Sequence, residues 1–151
     1  MQHYGLWIIL ITLLWACQKE EKAPDFTGSY LAVSFRSECT NVASNKNYSA
    51  SAANDICVPS TGGQTCLTLT LILKEDKSYT LSAVTKTITN GVSNTKTATD
   101  IGTYTVSGNT LTMCTPSNSC FTITQTAVKN EYDWLSGTSN GCNSIYTFKK
   151  T

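Results

Sequence analysis

The stretch Cys66-Leu67-Thr68-Leu69-Thr70-Leu71-Ile72-Leu73-Lys74 decides the fold. Leu67, Leu69, Leu71 and Leu73 recur at every second position, with Thr68 and Thr70 between them. A period of two places all four leucines on one face of a pleated strand, whereas a helix would scatter them around its circumference. Downstream, Glu75-Asp76-Lys77 is a short polar turn, and Ser78 to Ile88 resumes the alternation with Tyr79, Leu81 and Ala83 in step. Thr89-Asn90-Gly91 and Ser93-Asn94 mark a hairpin end. Lys96 to Val106 returns with Tyr104 and Val106 in phase, and Ser107-Gly108-Asn109 turns the chain. Thr110 to Cys114 carries Leu111 and Met113, and Pro116-Ser117-Asn118 turns it again. Cys120 to Val128 carries Phe121 and Ile123 and is broken by Lys129-Asn130. Tyr132 to Thr138 and Asn143 to Lys150 close the pattern with Trp134, Tyr146 and Phe148. Upstream, Thr27 to Ser37 alternates with Leu31, Val33 and Phe35 on one face.

That is about eight strands joined mostly by short turns, the pattern of an antiparallel meander. An all-β, up-and-down barrel is the simplest closure, because it leaves no exposed sheet edge; a β-sandwich is the alternative. One connection is long, Glu38 to Thr65 after the first strand, and a connection of that length is usually functional or a lid. Ala50, Ala52 and Ala53 allow a helical turn near Ser49 to Asp55.

Composition agrees. The 151 residues include 25 Thr, 16 Ser and 11 Asn, while charged residues are only 14% and the net charge is +1. With no basic cluster, nucleic acid is not an expected partner. The single histidine, His3, lies in the leader, so the mature chain is expected to lack Ser-His and Cys-His catalysis and His-ligated metals. Glu75, Asp76, Asp100, Glu131 and Asp133 sit in turns or near strand ends, the usual place of solvated carboxylates, so neither a glycosidase pair nor any other enzyme is expected. No cofactor is implied.

Residues Leu6 to Ala16 form an apolar run far shorter than the ~20 residues a membrane-spanning helix needs, and of the length of a secretory h-region. Leu14-Trp15-Ala16-Cys17 follows. This resembles the lipobox of bacterial lipoproteins, with a large Trp15 where small residues are commoner. The resemblance implies a signal peptide over 1–16, lipidation at Cys17, a tether over 17–25 and a domain over 26–151. Acyl chains on Cys17 would hold the protein at a membrane. Gln18-Lys19-Glu20-Glu21-Lys22 is similar to the acidic export signal of surface-exposed outer-membrane lipoproteins; the periplasmic face is the alternative location.

A second resemblance concerns the domain. Phe26-Thr27-Gly28-Ser29-Tyr30 resembles the Gly-x-Trp opening of lipocalins, with Tyr30 in place of Trp. Leu73 to Thr80 and Gly102 to Leu111 look like hairpin units of bacterial lipocalin-like lipoproteins. The likeness spans about Phe26 to Lys150, and the long first connection matches the loop that covers a lipocalin mouth. It implies a calyx for a small apolar ligand, with Leu69, Leu71, Tyr79, Tyr104, Phe121 and Tyr146 as candidate lining. An eight-stranded barrel is just wide enough either to be filled or to hold one small ligand, and the large inward side chains favour a filled core. The alternative function is therefore a surface interaction or inhibitor protein acting through its Ser/Thr/Asn-rich loops.

Besides Cys17 there are six cysteines: Cys39, Cys57, Cys66, Cys114, Cys120 and Cys142. An even number in an exported domain reads as disulfides. No Cys-x-x-Cys occurs, so no metal site is expected. Cys114 and Cys120 lie out of phase with Leu111, Met113, Phe121 and Ile123, and flank one turn, which sets them opposite each other on neighbouring strands. The pairing of Cys39, Cys57, Cys66 and Cys142 stays open; three of them bound or occupy the long connection, which suggests a stapled lid.

Overall fold

The computed structural model describes residues 25–151. Cys17 and most of the tether lie outside the described residues. The elements in order are β1 (Gly28–Cys39), a 3-10 turn (Val42–Ser44), β2 (Lys46–Ser49), β3 (Ile56–Ser60), β4 (Gly63–Leu73), β5 (Ser78–Thr89), β6 (Val92–Ser107), β7 (Thr110–Cys114), β8 (Cys120–Gln125), β9 (Glu131–Ser139) and β10 (Cys142–Lys150). One antiparallel sheet runs β2-β1-β10-β9-β8-β7-β6-β5-β4-β3, and β1 also pairs with β4. Eight strands therefore close into an up-and-down barrel, and β2 and β3 are additions to it.

The seam explains the additions. Gly28 to Leu31 of β1 pair with Leu73 to Thr70 of β4, and there the barrel is shut. Further along, β1 parts from β4. Ser34 to Ser37 pair instead with β2, while Gly63 to Leu67 of β4 pair with β3. The long connection is thus built of short strands that extend the two diverging edges. The helical turn expected near Ser49 to Asp55 is absent. Asn54 takes a positive φ of 62° and the backbone closes a turn from Ser51 to Asp55. Polar side chains that bond their own backbone favour turns over helix here: Ser51 Oγ accepts from the Ala53 N–H and donates to Asp55.

Hairpin turns sit where turn chemistry put them. Asn90-Gly91 and Asn140-Gly141 have positive φ at both positions, the conformation of a type I′ turn, which Asn-Gly tolerates best. β5, β6, β9 and β10 consequently run right up to their turns, farther than the sequence pattern suggested.

The inward face follows the leucine ladder of β4, with Leu69, Leu71 and Leu73 at most 4% exposed. Tyr30, Tyr79, Tyr104, Met113, Leu111, Ile123 and Phe148 complete the core and are at most 2% exposed. Two expectations are corrected. In β1, a bulge between Ala32 and Ser34 switches the alternation, so Tyr30 and Ala32 face inward before the bulge and Phe35 after it. The set Leu31, Val33 and Phe35 assumed an unbroken pleat. Val106, expected inward, is 38% exposed because it lies in the last pairs of the β6–β7 ladder, at the barrel rim.

The barrel has two unlike ends. At its base, where β1 begins and β10 finishes, Tyr30 donates a 2.6 Å hydrogen bond to the Phe26 carbonyl, and Tyr30 and Phe26 meet Tyr132 edge to face. Lys150 Nζ donates to the Asp25 carbonyl at 3.0 Å, which fixes where the chain enters. At the other end, the mouth, the β7–β8 hairpin stops short. β6 pairs with β7 only from Thr103 onward, and β9 pairs with β8 only through Tyr132 to Trp134. Above that hairpin the wall has a window between β6 and β9.

Candidate functional site

The candidate ligand-lining residues divide between base and mouth. Leu69, Leu71, Tyr79 and Tyr104 are packed into the core. The Tyr104 hydroxyl donates to the Lys74 carbonyl at 2.8 Å and the Tyr79 hydroxyl to Asp100 at 3.2 Å, so neither hydroxyl is left for a ligand. Burial and the neighbouring Asp100 carboxylate push the Tyr79 phenol up to about 12. Phe121 and Tyr146 are different: both are half-buried at the mouth.

There they join a belt of rings. Ring centroids lie 5.9 Å apart for Tyr79 and Phe121, 5.2 Å for Phe121 and Trp134, and 5.8 Å for Trp134 and Tyr146. The belt continues at 5.0 Å from Tyr146 to Phe35 and at 6.2 Å from Phe35 to Tyr48. Such spacings are those of mutually attractive aromatic pairs. Burial raises the Tyr146 phenol pKa, so the hydroxyl stays neutral at physiological pH. Cross-strand registry sets the row: Phe35 is opposite both Tyr146 and Tyr48, and Tyr146 is opposite Trp134. Phe35 and Tyr48 carry no signal separable from ordinary core residues in the sequence; only the bulge and β2 bring them into the row.

Above the belt lies a cavity of about 140 Å³ lined by Phe35, Ile56, Val58, Thr65, Leu67, Thr85 and Tyr146. It is smaller than the ~300–1,000 Å³ usual for drug-sized ligands. It adjoins, through Thr85, a wider hollow of about 480 Å³ on the β5–β6 hairpin, lined by Thr85, Thr87, Thr89, Val92, Asn94 and Lys96. The mouth therefore presents aromatic and aliphatic surface below and hydroxyls, an amide and an ammonium beside it. That combination suits a ligand with a flat or apolar body and polar substituents.

Two bridges frame this end, Cys39–Cys142 between β1 and β10 and Cys57–Cys66 between β3 and β4, and a third, Cys114–Cys120, closes the β7–β8 turn below the window. Asp55 lies beside Cys57 and Cys66, but sulfurs tied to each other are not thiolate ligands. Of the carboxylates singled out in the sequence, Glu75, Asp76, Asp100, Glu131 and Asp133, only Asp133 joins an ion-pair network among the described residues. Arg36 donates to Asp133 Oδ2 at 2.6 Å and Oδ1 at 3.2 Å, to Glu38 at 2.7 Å and to Thr147 at 3.0 Å, and Thr147 donates to Asp133 at 2.8 Å. Burial opposes ionisation of Asp133, but the bonds from Arg36 and Thr147 outweigh it and hold the carboxyl below its usual range. This network ties β1, β9 and β10 together on the outer face, away from the belt.

Comparison with family models, with curated proteins and with solved structures returned no match, so the reading of this site stands on its own geometry.

Proposed function

We propose that the chain is a non-enzymatic, lipid-anchored protein of the bacterial cell envelope whose lipocalin-like barrel binds a small, largely apolar ligand at its mouth rather than within its interior. The observation that carries this reading is the belt of half-buried rings facing a hollow, in a barrel whose base is packed with side chains. Rings at most about 6 Å apart form a ready stacking surface, and partners need displace only water. The anchor is consistent with this placement. The chain enters at the base, where Lys150 holds the Asp25 carbonyl, so a tether from Cys17 would leave from the end opposite the mouth. The acidic run behind Cys17 supports the outer face of the outer membrane.

Native mass spectrometry of the protein released from its own envelope tests the ligand. A copurifying small molecule, lost on Trp134→Ala with the three disulfides retained, is the expected result. A bare protein that also fails to bind a fluorescent fatty acid would favour the second reading, a surface interaction protein acting through its loops. The filled base is what favours that alternative. Cys17→Ala should move the protein out of the detergent phase; an uncleaved, membrane-held product would refute lipidation.

A further inference from the structure

Closing the barrel leaves one long strand edge unpaired. From Val92 to Gly102, β6 bonds only to β5, and among the described residues no backbone hydrogen bond reaches its other side. Exposed edges invite pairing, and proteins usually blunt them. The other edges here are blunted: β2 has four residues and starts at Lys46, β3 has five and contains Pro59, and the β9 side of the window, Leu135 to Ser139, is short and bulged at Ser136. The β6 edge is longer, contains no proline and is not bulged.

Its charges are arranged symmetrically. Lys96 and Asp100 stand two residues on either side of Ala98, on one face of the strand. In an antiparallel pair of identical edges centred on Ala98, each Lys96 lies opposite the other copy's Asp100. Thr97 then lies opposite Thr99, and Thr95 opposite Ile101. A register centred on Lys96 or on Asp100 would set like charges face to face, which is unfavourable. The Tyr79 hydroxyl, 3.2 Å from Asp100 Oδ2, holds the carboxylate at this edge. Beyond Ile101 the edge is closed off. A Cβ on Gly102 would lie 2.1 Å from the Cys114 carbonyl oxygen, and Pro116 stands beside it. The available segment is thus Thr95 to Ile101, about the length of an ordinary strand.

We propose that this edge pairs with the β6 edge of a second copy, antiparallel and two-fold symmetric about Ala98, so that one sheet continues from barrel to barrel. The pairing is isologous: every contact occurs twice, including the Lys96–Asp100 pair. It uses the strand's edge and not the aromatic belt; Lys96 also lines the wider hollow beside the mouth, so the test reads cross-links and mass, not ligand binding.

The test is a cysteine placed on the symmetry axis of the full-length, membrane-held protein. Opposed Cα atoms in an antiparallel pair lie about 4.5 or 5.5 Å apart, within the range a disulfide spans. Ala98→Cys should give a disulfide-linked dimer on a nonreducing gel, with the three native bridges intact by peptide mapping. Asn94→Cys, whose mate would lie eight residues along the paired strands, about 27 Å away, should not. In native mass spectrometry from detergent, Lys96→Asp should weaken the dimer at least about tenfold, since two attractive contacts become repulsive. Adding Asp100→Lys should restore it. A monomeric parent, equal linking at Ala98→Cys and Asn94→Cys, a link from Ala98→Cys to a different protein, or no rescue by the double reversal would each overturn the proposal.

Discussion

Removing the Cys39–Cys142 bridge should destabilise the protein far more than removing either of the others. Cys39 and Cys142 are 103 residues apart in sequence, Cys57 and Cys66 only 9, and Cys114 and Cys120 only 6. Each pair sits directly opposite in a strand ladder, so replacing it with alanines leaves the native pairing in place. The principal change is in the unfolded chain, whose freedom grows with the loop released. Loop-closure entropy gives about 4.7 kcal/mol for the long loop, and about 2.7 and 2.4 kcal/mol for the short ones. The assay is guanidinium denaturation of each double-alanine variant of the mature protein, followed by Trp134 fluorescence. Trp7 and Trp15 precede Cys17 and would leave with the leader under the proposed processing. The slope of the transition should also rise for the long-loop variant, because a less constrained unfolded chain exposes more surface. If the Cys57–Cys66 variant loses as much stability as the Cys39–Cys142 variant, the entropic argument fails, and the bridges act by holding the native mouth together.

Three further perturbations have defined outcomes. Leu71→Ala should cost about 2–5 kcal/mol in the same denaturation assay, since Leu71 is 1% exposed at the β1–β4 closure, between Tyr30 and Leu81; a loss below about 1 kcal/mol would mean the base is not packed. Asp133→Asn should cost about 1–3 kcal/mol at neutral pH by weakening the bonds to Arg36 and Thr147. Because the folded carboxyl titrates below its unfolded value of about 3.9, that contribution is present above pH 4 and is lost as pH falls through the folded value; the gap between parent and variant should close in acid, and a gap unchanged at pH 2 would refute the assignment. Gly102→Ala should unfold or rearrange the β6–β7 contact, as its Cβ would meet the Cys114 carbonyl oxygen at 2.1 Å; native circular dichroism and an unchanged midpoint would contradict that geometry.

The barrel was legible because its strands obey a single period. Leu67 to Leu73, Tyr79 to Ala83 and Leu111 to Met113 alternate without interruption, and Asn-Gly pairs fix the hairpins. The first strand was read in the wrong phase before its bulge, since a bulge adds a residue without leaving a sequence mark. The long connection hid β2 and β3 because their few apolar residues, Tyr48, Ile56 and Val58, are too sparse to show a period. The candidate site was half legible for the same reason. Phe121 and Tyr146 stood in phase on their own strands, but a row of rings across six strands is a property of register between distant segments. Trp134 was visible as a large apolar residue, not as the link between Phe121 and Tyr146.

The distribution of staples and packing bears on where the protein can act. The base is held by side chains: Tyr30, Tyr132, Leu71, Met113 and Phe148 interlock there, and Cys39–Cys142 and Cys57–Cys66 both lie away from them. The mouth has the opposite character. Its wall is split at the β1–β4 seam and again at the window between β6 and β9, so fewer strands share the burden of closure. Cys39–Cys142 and Cys57–Cys66 are placed along this divided end, while Cys114–Cys120 caps the short β7–β8 hairpin below the window. A wall with little packed core behind it would otherwise open readily, since local stability follows local burial. Covalent ties let the mouth remain open to solvent without fraying, and they keep the aromatic belt in one geometry. A ligand meeting the belt then encounters a surface already ordered, and its binding free energy is not spent on arranging the rings. A ligand entering the base would have to expel packed side chains at a cost of several kcal/mol each. On the proposed reading, the division of the barrel into a packed base and a stapled mouth would direct recognition to the mouth.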